Sequence, residues 1–140
     1  MRSKTMKINN LFIVIGLSFL LSACSEPRTP EDIVAERAQA RWDALIAKDF
    51  DQAWSYYSPG FRAQNPASSF AGTMQSRPIR WDSAEIRSVE CAEAGTCTVV
   101  VSVAYTAVGA PGPLADMQNE RPLNETWVEL EGEWWYSYKE

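Results

Sequence analysis

A chain of 140 residues with a formal charge of −5 is long enough for one domain with a hydrophobic core. The complete absence of histidine removes the commonest general base, the Ser–His and Cys–His nucleophile pairs and most metal sites. No Lys/Arg cluster interrupts the acidic balance, so the chain lacks an electrostatic footprint for nucleic acid, and an anionic lipid surface would repel it.

The chain opens on Arg2, Lys4 and Lys7, followed by the apolar run Leu11 to Leu21. Spanning a bilayer takes about 20 apolar residues, so this shorter run reads as a signal peptide. The small residues Ser22 and Ala23 lead directly into Cys24. Leu21-Ser22-Ala23-Cys24 resembles the lipobox of bacterial lipoproteins. The resemblance implies a signal peptide over 1–23, cleavage before Cys24, and fatty acylation of that cysteine, palmitate included. Ser25 stands where lipoproteins retained at the inner membrane carry Asp, which implies the outer membrane, facing the periplasm. Acyl chains contribute about 0.8 kcal/mol per buried CH₂, so the lipid would hold a domain whose charge does not. Removal of residues 1–23 takes away three basic residues and no acidic one, leaving ten against 18 and a formal charge of −8. Residues 24–29 then form a short tether. Its five residues Ser25 to Thr29 reach at most ~17 Å, which keeps the domain over 30–140 close to its membrane.

Thr29-Pro30-Glu31-Asp32 has the chemistry of a helix start: a hydroxyl cap, Pro at the first position and acids in the first turn. Val34, Ala38, Trp42, Leu45 and Ile46 recur at helical spacing, with Arg37, Arg41 and Lys48 assigned largely to other faces. This helix is expected to run to about Lys48. A second follows over roughly 51–57, carrying Ala53, Trp54 and Tyr57, and Ser58-Pro59-Gly60 is expected to end it. Residues 66–76 form a third short helix.

After Pro78 the pattern turns to strands, the first over 81–91. With Cys24 consumed by lipidation, Cys91 and Cys97 remain as an even pair in an oxidising compartment, and a disulfide stapling the turn at Gly95 is expected. The rival reading is a pair of metal-binding thiolates. Two cysteines without a histidine make a poor zinc site. Thr98 to Val108 is the strongest strand. Val99, Val101, Val103 and Tyr105 make its bulky, core-directed face, and Val100, Ser102, Ala104 and Thr106 a smaller one. Residues 109–122 read as a long connection. A final hairpin over 125–130 and 133–138 turns at Glu131-Gly132, opposing Leu130 to Glu133, Val128 to Trp135 and Trp127 to Tyr136.

Two or three helices before an antiparallel meander of about four strands imply an α+β domain with helices packed on one face of a curved sheet. The segment Arg41-Trp42-Asp43-Ala44-Leu45-Ile46-Ala47-Lys48-Asp49-Phe50-Asp51-Gln52-Ala53-Trp54 is similar to the opening helices of nuclear transport factor 2-like domains, the superfamily of ketosteroid isomerases and polyketide cyclases. Ser58-Pro59-Gly60-Phe61-Arg62 and Glu131-Gly132-Glu133-Trp134-Trp135-Tyr136 also resemble it. The resemblance covers residues from about 30 onward and implies a cone-like fold. Its members include isomerases, dehydratases, cyclases, transport adaptors and secretion-system parts, so fold does not settle function.

Catalysis without histidine would rest on carboxylates and tyrosines, with Tyr57, Tyr105, Asp82 and Glu85 as candidates. None stands in a motif that matches the superfamily's active sites, so no catalytic residue, metal or cofactor is assigned. Trp54, Tyr57, Trp81, Tyr105 and Trp135 are the candidates for lining a pocket between helices and sheet. Trp127, Trp134 and Tyr136 share one face of the final hairpin, expected beside Val100, Ser102, Ala104 and Thr106. An apolar sheet face of this kind is either covered by a segment such as 109–122 or used for a homodimer or an envelope partner. The expected function is a lipid-anchored periplasmic binding or scaffolding module. A small-molecule binder or histidine-free enzyme using the cone, and an accessory subunit of an envelope or secretion assembly, are its rivals.

Overall fold

The structure is a computed structural model, and it describes residues 27–109, 111–115 and 117–138. Leu21, Ser22, Ala23 and Cys24 lie outside them, as does the signal peptide.

Helix α1 (Pro30–Ile46) begins as its sequence dictates. Thr29 caps it in a capping box with Asp32, and Pro30 occupies the first turn. It stops two residues before the expected end, where Lys48 adopts a left-handed φ of 61°. Asp49 then caps α2 (Phe50–Ser55) through the Gln52 amide. Helix α2 ends at Ser55 with Tyr56 as its C-cap, short of the expected Tyr57, and the Ser58-Pro59-Gly60 stretch expected to end it instead opens a further helix, α3 (Pro59–Gln64), with Ser58 as its cap and Pro59 at its first position. A stretch that reads as a stop is a start, which is why four helices stand among the described residues where two or three were expected. The fourth, α4 (Ala67–Gln75), follows Pro66.

Four strands make one antiparallel sheet in chain order: β1 (Ile79–Ala92), β2 (Thr96–Ala107), β3 (Gln118–Leu130) and β4 (Glu133–Ser137). Register irregularities at Asp82 and Arg87 in β1 add twist and curl the sheet. The connection expected over 109–122 is shorter than that, because Gln118 to Pro122 already pair with Thr106 to Ser102. Pro122 is tolerated there because β4 pairs only with Thr126 to Leu130, so this half of β3 is an edge. The final hairpin has the expected register, and Glu131 and Gly132 both take positive φ, at 54° and 81°, as a two-residue primed turn requires.

The helices cover the concave face of the sheet, giving the cone-like α+β architecture. Cys97, Val99, Val101 and Val103 of β2 are fully buried beneath α1. Along α1, Val34 and Ala38 meet Cys97, Val99, Trp127 and Trp134, while Trp42 and Leu45 meet Val101 and Val103. Cys91 and Cys97 face each other across β1 and β2 and are joined by a disulfide. Gly95, with φ 69°, supplies the turn between them.

Trp127 and Trp134 are core residues, 0 % and 5 % exposed, which corrects the expectation that they line an outer surface with Tyr136. Cys97 opposes Trp127 in the register, so the pleat places these rings with the bulky residues of β2, beneath the helices. Val100, Ser102, Ala104 and Thr106 instead oppose Asn124, Pro122, Glu120 and Gln118 on the convex face. Among the described residues no helix is long and apolar enough to cross a membrane.

Candidate binding cavity

The open end of the cone holds a cavity of about 200 Å³ between the C-terminal half of α1, the end of α4 and the middle of β3. At its floor lies an ion pair that helix and strand periodicity create together. Arg41 follows Ala38 by three residues and precedes Leu45 by four, so it sits on the buried stripe of α1. Glu125 lies two residues from Leu123 and two from Trp127, on the concave side of β3. The two side chains are 3 % exposed and form a salt bridge.

The rest of the floor engages both carboxylate oxygens and one further guanidinium nitrogen of this pair. Trp42 Nε1 donates to Glu125 Oε1 at 2.7 Å, and Trp127 Nε1 donates to Oε2 at 3.2 Å. Arg41 donates from Nη1 to the Tyr57 hydroxyl at 3.4 Å, and its guanidinium lies 4.0 Å from the centre of the Tyr136 ring. Arg41 Nε is buried without a hydrogen-bond partner. Burial is the largest single influence on Arg41 and would favour its neutral form, but the Glu125 carboxylate, Tyr57 and Tyr136 together outweigh it, and its pKa stands above the ordinary value. Burial raises Tyr57 and Tyr136, with Glu125 adding to the effect and Arg41 opposing it. Both phenols are therefore held neutral. The floor is a charge-compensated lattice with both carboxylate oxygens engaged.

Aromatic faces form the walls. Trp42 and Trp81 meet edge to face at 5.3 Å, and Tyr57 meets Tyr136 edge to face at 4.9 Å. Exposed Arg77, Arg121 and Tyr138 stand at the mouth. A second hollow of about 260 Å³ adjoins the first, sharing Leu45, Met74, Arg77 and Trp81 and extending to Lys48 and Val108.

Of the expected pocket residues, Tyr57 and Trp81 line the cavity. Tyr105 stands beyond Trp81, their ring centres 6.3 Å apart. Trp54 donates its indole N–H to the Asn65 carbonyl at 2.7 Å, tying α2 to the end of α3. Trp135 lies at the β4 edge between the guanidinium groups of Arg37 and Arg62, at 5.4 and 4.7 Å. Tyr136, expected on an outer face, lines the cavity instead. Among the catalytic candidates, Asp82 accepts from Thr106 at 2.6 Å, from Arg80 at 2.8 Å and from Gln118 at 3.4 Å, away from the cavity. These bonds, led by that from Thr106, hold its pKa below the ordinary value. Glu85 is exposed and pairs with Arg87 at 3.1 Å. Tyr57 alone of these candidates reaches the cavity. Among the described residues no group of three metal-ligating side chains comes together, and Cys91 and Cys97 are consumed by their disulfide.

Arg41 and Glu125 escaped sequence reasoning because charged residues are read as solvated by default, although their spacing placed both inside. No local signal brings Arg77 and Arg121 to one mouth; the topology does.

No protein-family model matches the chain, and none of the curated proteins is significantly similar to it. Solved structures do match. A SEC-C motif containing protein from Psychrobacter arcticus aligns at a TM-score of 0.57 and 9 % identity over 81 % of this chain, which spans 63 % of that protein. Another SEC-C motif containing protein, from Rhodopseudomonas palustris, aligns at 0.56 and 16 % identity over 73 % of each chain. The protein Aln2 from a Streptomyces species aligns at 0.53 and 14 % identity over 80 % of this chain and 90 % of its own. Likeness at such identities shows a shared fold, an α+β domain of helices on a curved antiparallel sheet.

Proposed function

We propose that this chain is a lipid-anchored domain of the bacterial cell envelope that binds a small molecule in the cone cavity without transforming it. The observation that carries the reading is the aromatic cavity above a fully compensated Arg41–Glu125 pair. A cavity lined by rings with a few placed polar groups is the usual form of a small-molecule site. The same compensation argues against catalysis. Glu125 is committed to Arg41, Trp42 and Trp127, and Tyr57 and Tyr136 are held neutral. General acid–base work needs a group poised to exchange a proton near the operating pH, and the floor of this cavity presents none.

A partner-docking role was motivated by aromatic residues on an open sheet face. Trp127 and Trp134 are turned inward, which leaves the cavity as the feature that favours a function. The anchor itself rests on the Leu21-Ser22-Ala23-Cys24 junction.

Native mass spectrometry of the domain, purified under mild conditions from its own host, tests binding. A bound apolar mass is expected on the unaltered domain. It should be absent from Leu123→Trp, which places an indole in the cavity. An identical mass on both proteins, or none on either, overturns the reading.

A further inference from the structure

We infer that the ligand is an anionic amphiphile, with a flat apolar body inside the cone and an acidic head held at the mouth by Arg77 and Arg121. This rests on the reading of the cavity as a binding site and specifies what it takes. The described arginines divide cleanly. Arg28, Arg41, Arg80 and Arg87 each pair with a carboxylate, and Arg37 and Arg62 stack against Trp135. Arg77 and Arg121 are exposed at the cavity mouth and make no ion pair among the described residues. Arg121 rests over the Tyr105 ring at 5.7 Å, which leaves its N–H groups free to donate.

Among the described residues the surrounding acids do not cancel these charges. Glu125, the carboxylate lining the cavity, is neutralised at the floor by Arg41. Glu120, next to Arg121 in sequence, opposes Ala104 on the convex face and lies 3.7 Å from Arg87. Lys48 adds a cation in the adjoining hollow. A domain with far more acidic than basic residues therefore concentrates cations without an ion pair among the described residues at the rim of an aromatic hollow, where low-dielectric walls focus their field. A carboxylate, sulfonate or phosphate head matches that rim, since arginine donates to each through a planar fork.

Two dyes of one scaffold separate the claims. Anilinonaphthalene sulfonate carries an anionic head, and N-phenylnaphthylamine is its neutral relative. The sulfonate is expected to bind saturably and more tightly than the amine. Each of Arg77→Met and Arg121→Met, which keep the apolar stem, should weaken the sulfonate about tenfold, as charge-assisted hydrogen bonds typically do. The amine should change less than twofold, and Leu123→Trp should abolish both. If the two dyes bind alike and neither arginine variant alters them, the anionic preference is wrong and the cavity reading stands. If neither dye binds, or both ignore Leu123→Trp, the inference and the cavity reading fall together.

Discussion

Arg41 and Glu125 are the residues on which the cone is centred. A buried ion pair of this kind contributes little net stability, because removing two charges from water costs several kcal/mol each before attraction offsets it. Breaking it is another matter. Arg41→Met leaves Glu125 with two indole donors and no counter-charge, and should destabilise the domain by about 3–5 kcal/mol in urea unfolding. The double variant Arg41→Met with Glu125→Leu should lose less than that single variant, because no buried charge is left unpaired. Equal losses would mean that the pair acts through packing alone. The tyrosines carry a second expectation. Tyr57 and Tyr136 have raised folded pKa values, so their contribution to stability is complete below the unfolded value near 10 and falls away as pH rises through the folded values. Ultraviolet titration should show Tyr57 and Tyr136 ionising only as the domain unfolds in alkali. Ionisation of these two phenols near the ordinary value in folded protein would contradict the burial that protects them.

Elements were legible to different degrees, for physical reasons. Helix α1 and the last hairpin follow from local chemistry: a capping box in one, and a two-residue turn with positive φ in the other. Helix α3 was hidden because Ser58-Pro59 reads as a stop for the preceding helix, whereas it is the start of the next. The first half of β3 was hidden because Pro122 argues against a strand unless its position at an edge is known. The Cys91–Cys97 bridge closes a short loop between paired strands, and Cys97 is fully buried against Val34, Val99 and Trp127. Cys91→Ser with Cys97→Ser should therefore lower stability by about 2 kcal/mol without abolishing folding. A larger element-scale effect is expected at Trp134, 5 % exposed under α1. Trp134→Ala should cost about 3–5 kcal/mol, and a change below about 1 kcal/mol would return that ring to the surface.

At the scale of the molecule, the capped start of α1 and the cavity lie at opposite ends of that helix. Thr29 caps the helix at the end near Cys97 and Trp134, whereas Arg41, Trp42 and Leu45 line the cavity. At about 1.5 Å per residue, Arg41 stands roughly 17 Å along the axis from the start of the helix. We propose that a lipid on Cys24 holds the disulfide end of the domain toward the membrane, with the mouth of the cone directed away from it. Mass spectrometry of the protein from membranes should find an acylated N-terminus at Cys24, and Cys24→Ser should leave an unacylated precursor. A free, unmodified N-terminus on the native protein overturns both the anchor and this orientation.

What the sequence determined by itself is what depends on neighbours along the chain: helix caps, β-branched strands, the turn at Glu131-Gly132 and the cysteine pair. Periodicity also separated the inward from the outward residues of β2, since Val99, Val101 and Val103 alternate with smaller ones. Tertiary structure alone decided which hairpin face met the helices, because both faces are apolar and only the Cys97–Trp127 register distinguishes them. It also decided that Arg41 and Glu125, 84 positions apart, neutralise each other inside the core. A charge is read as exposed until its partner is known, and pairing over that separation is a property of the packed cone rather than of either segment.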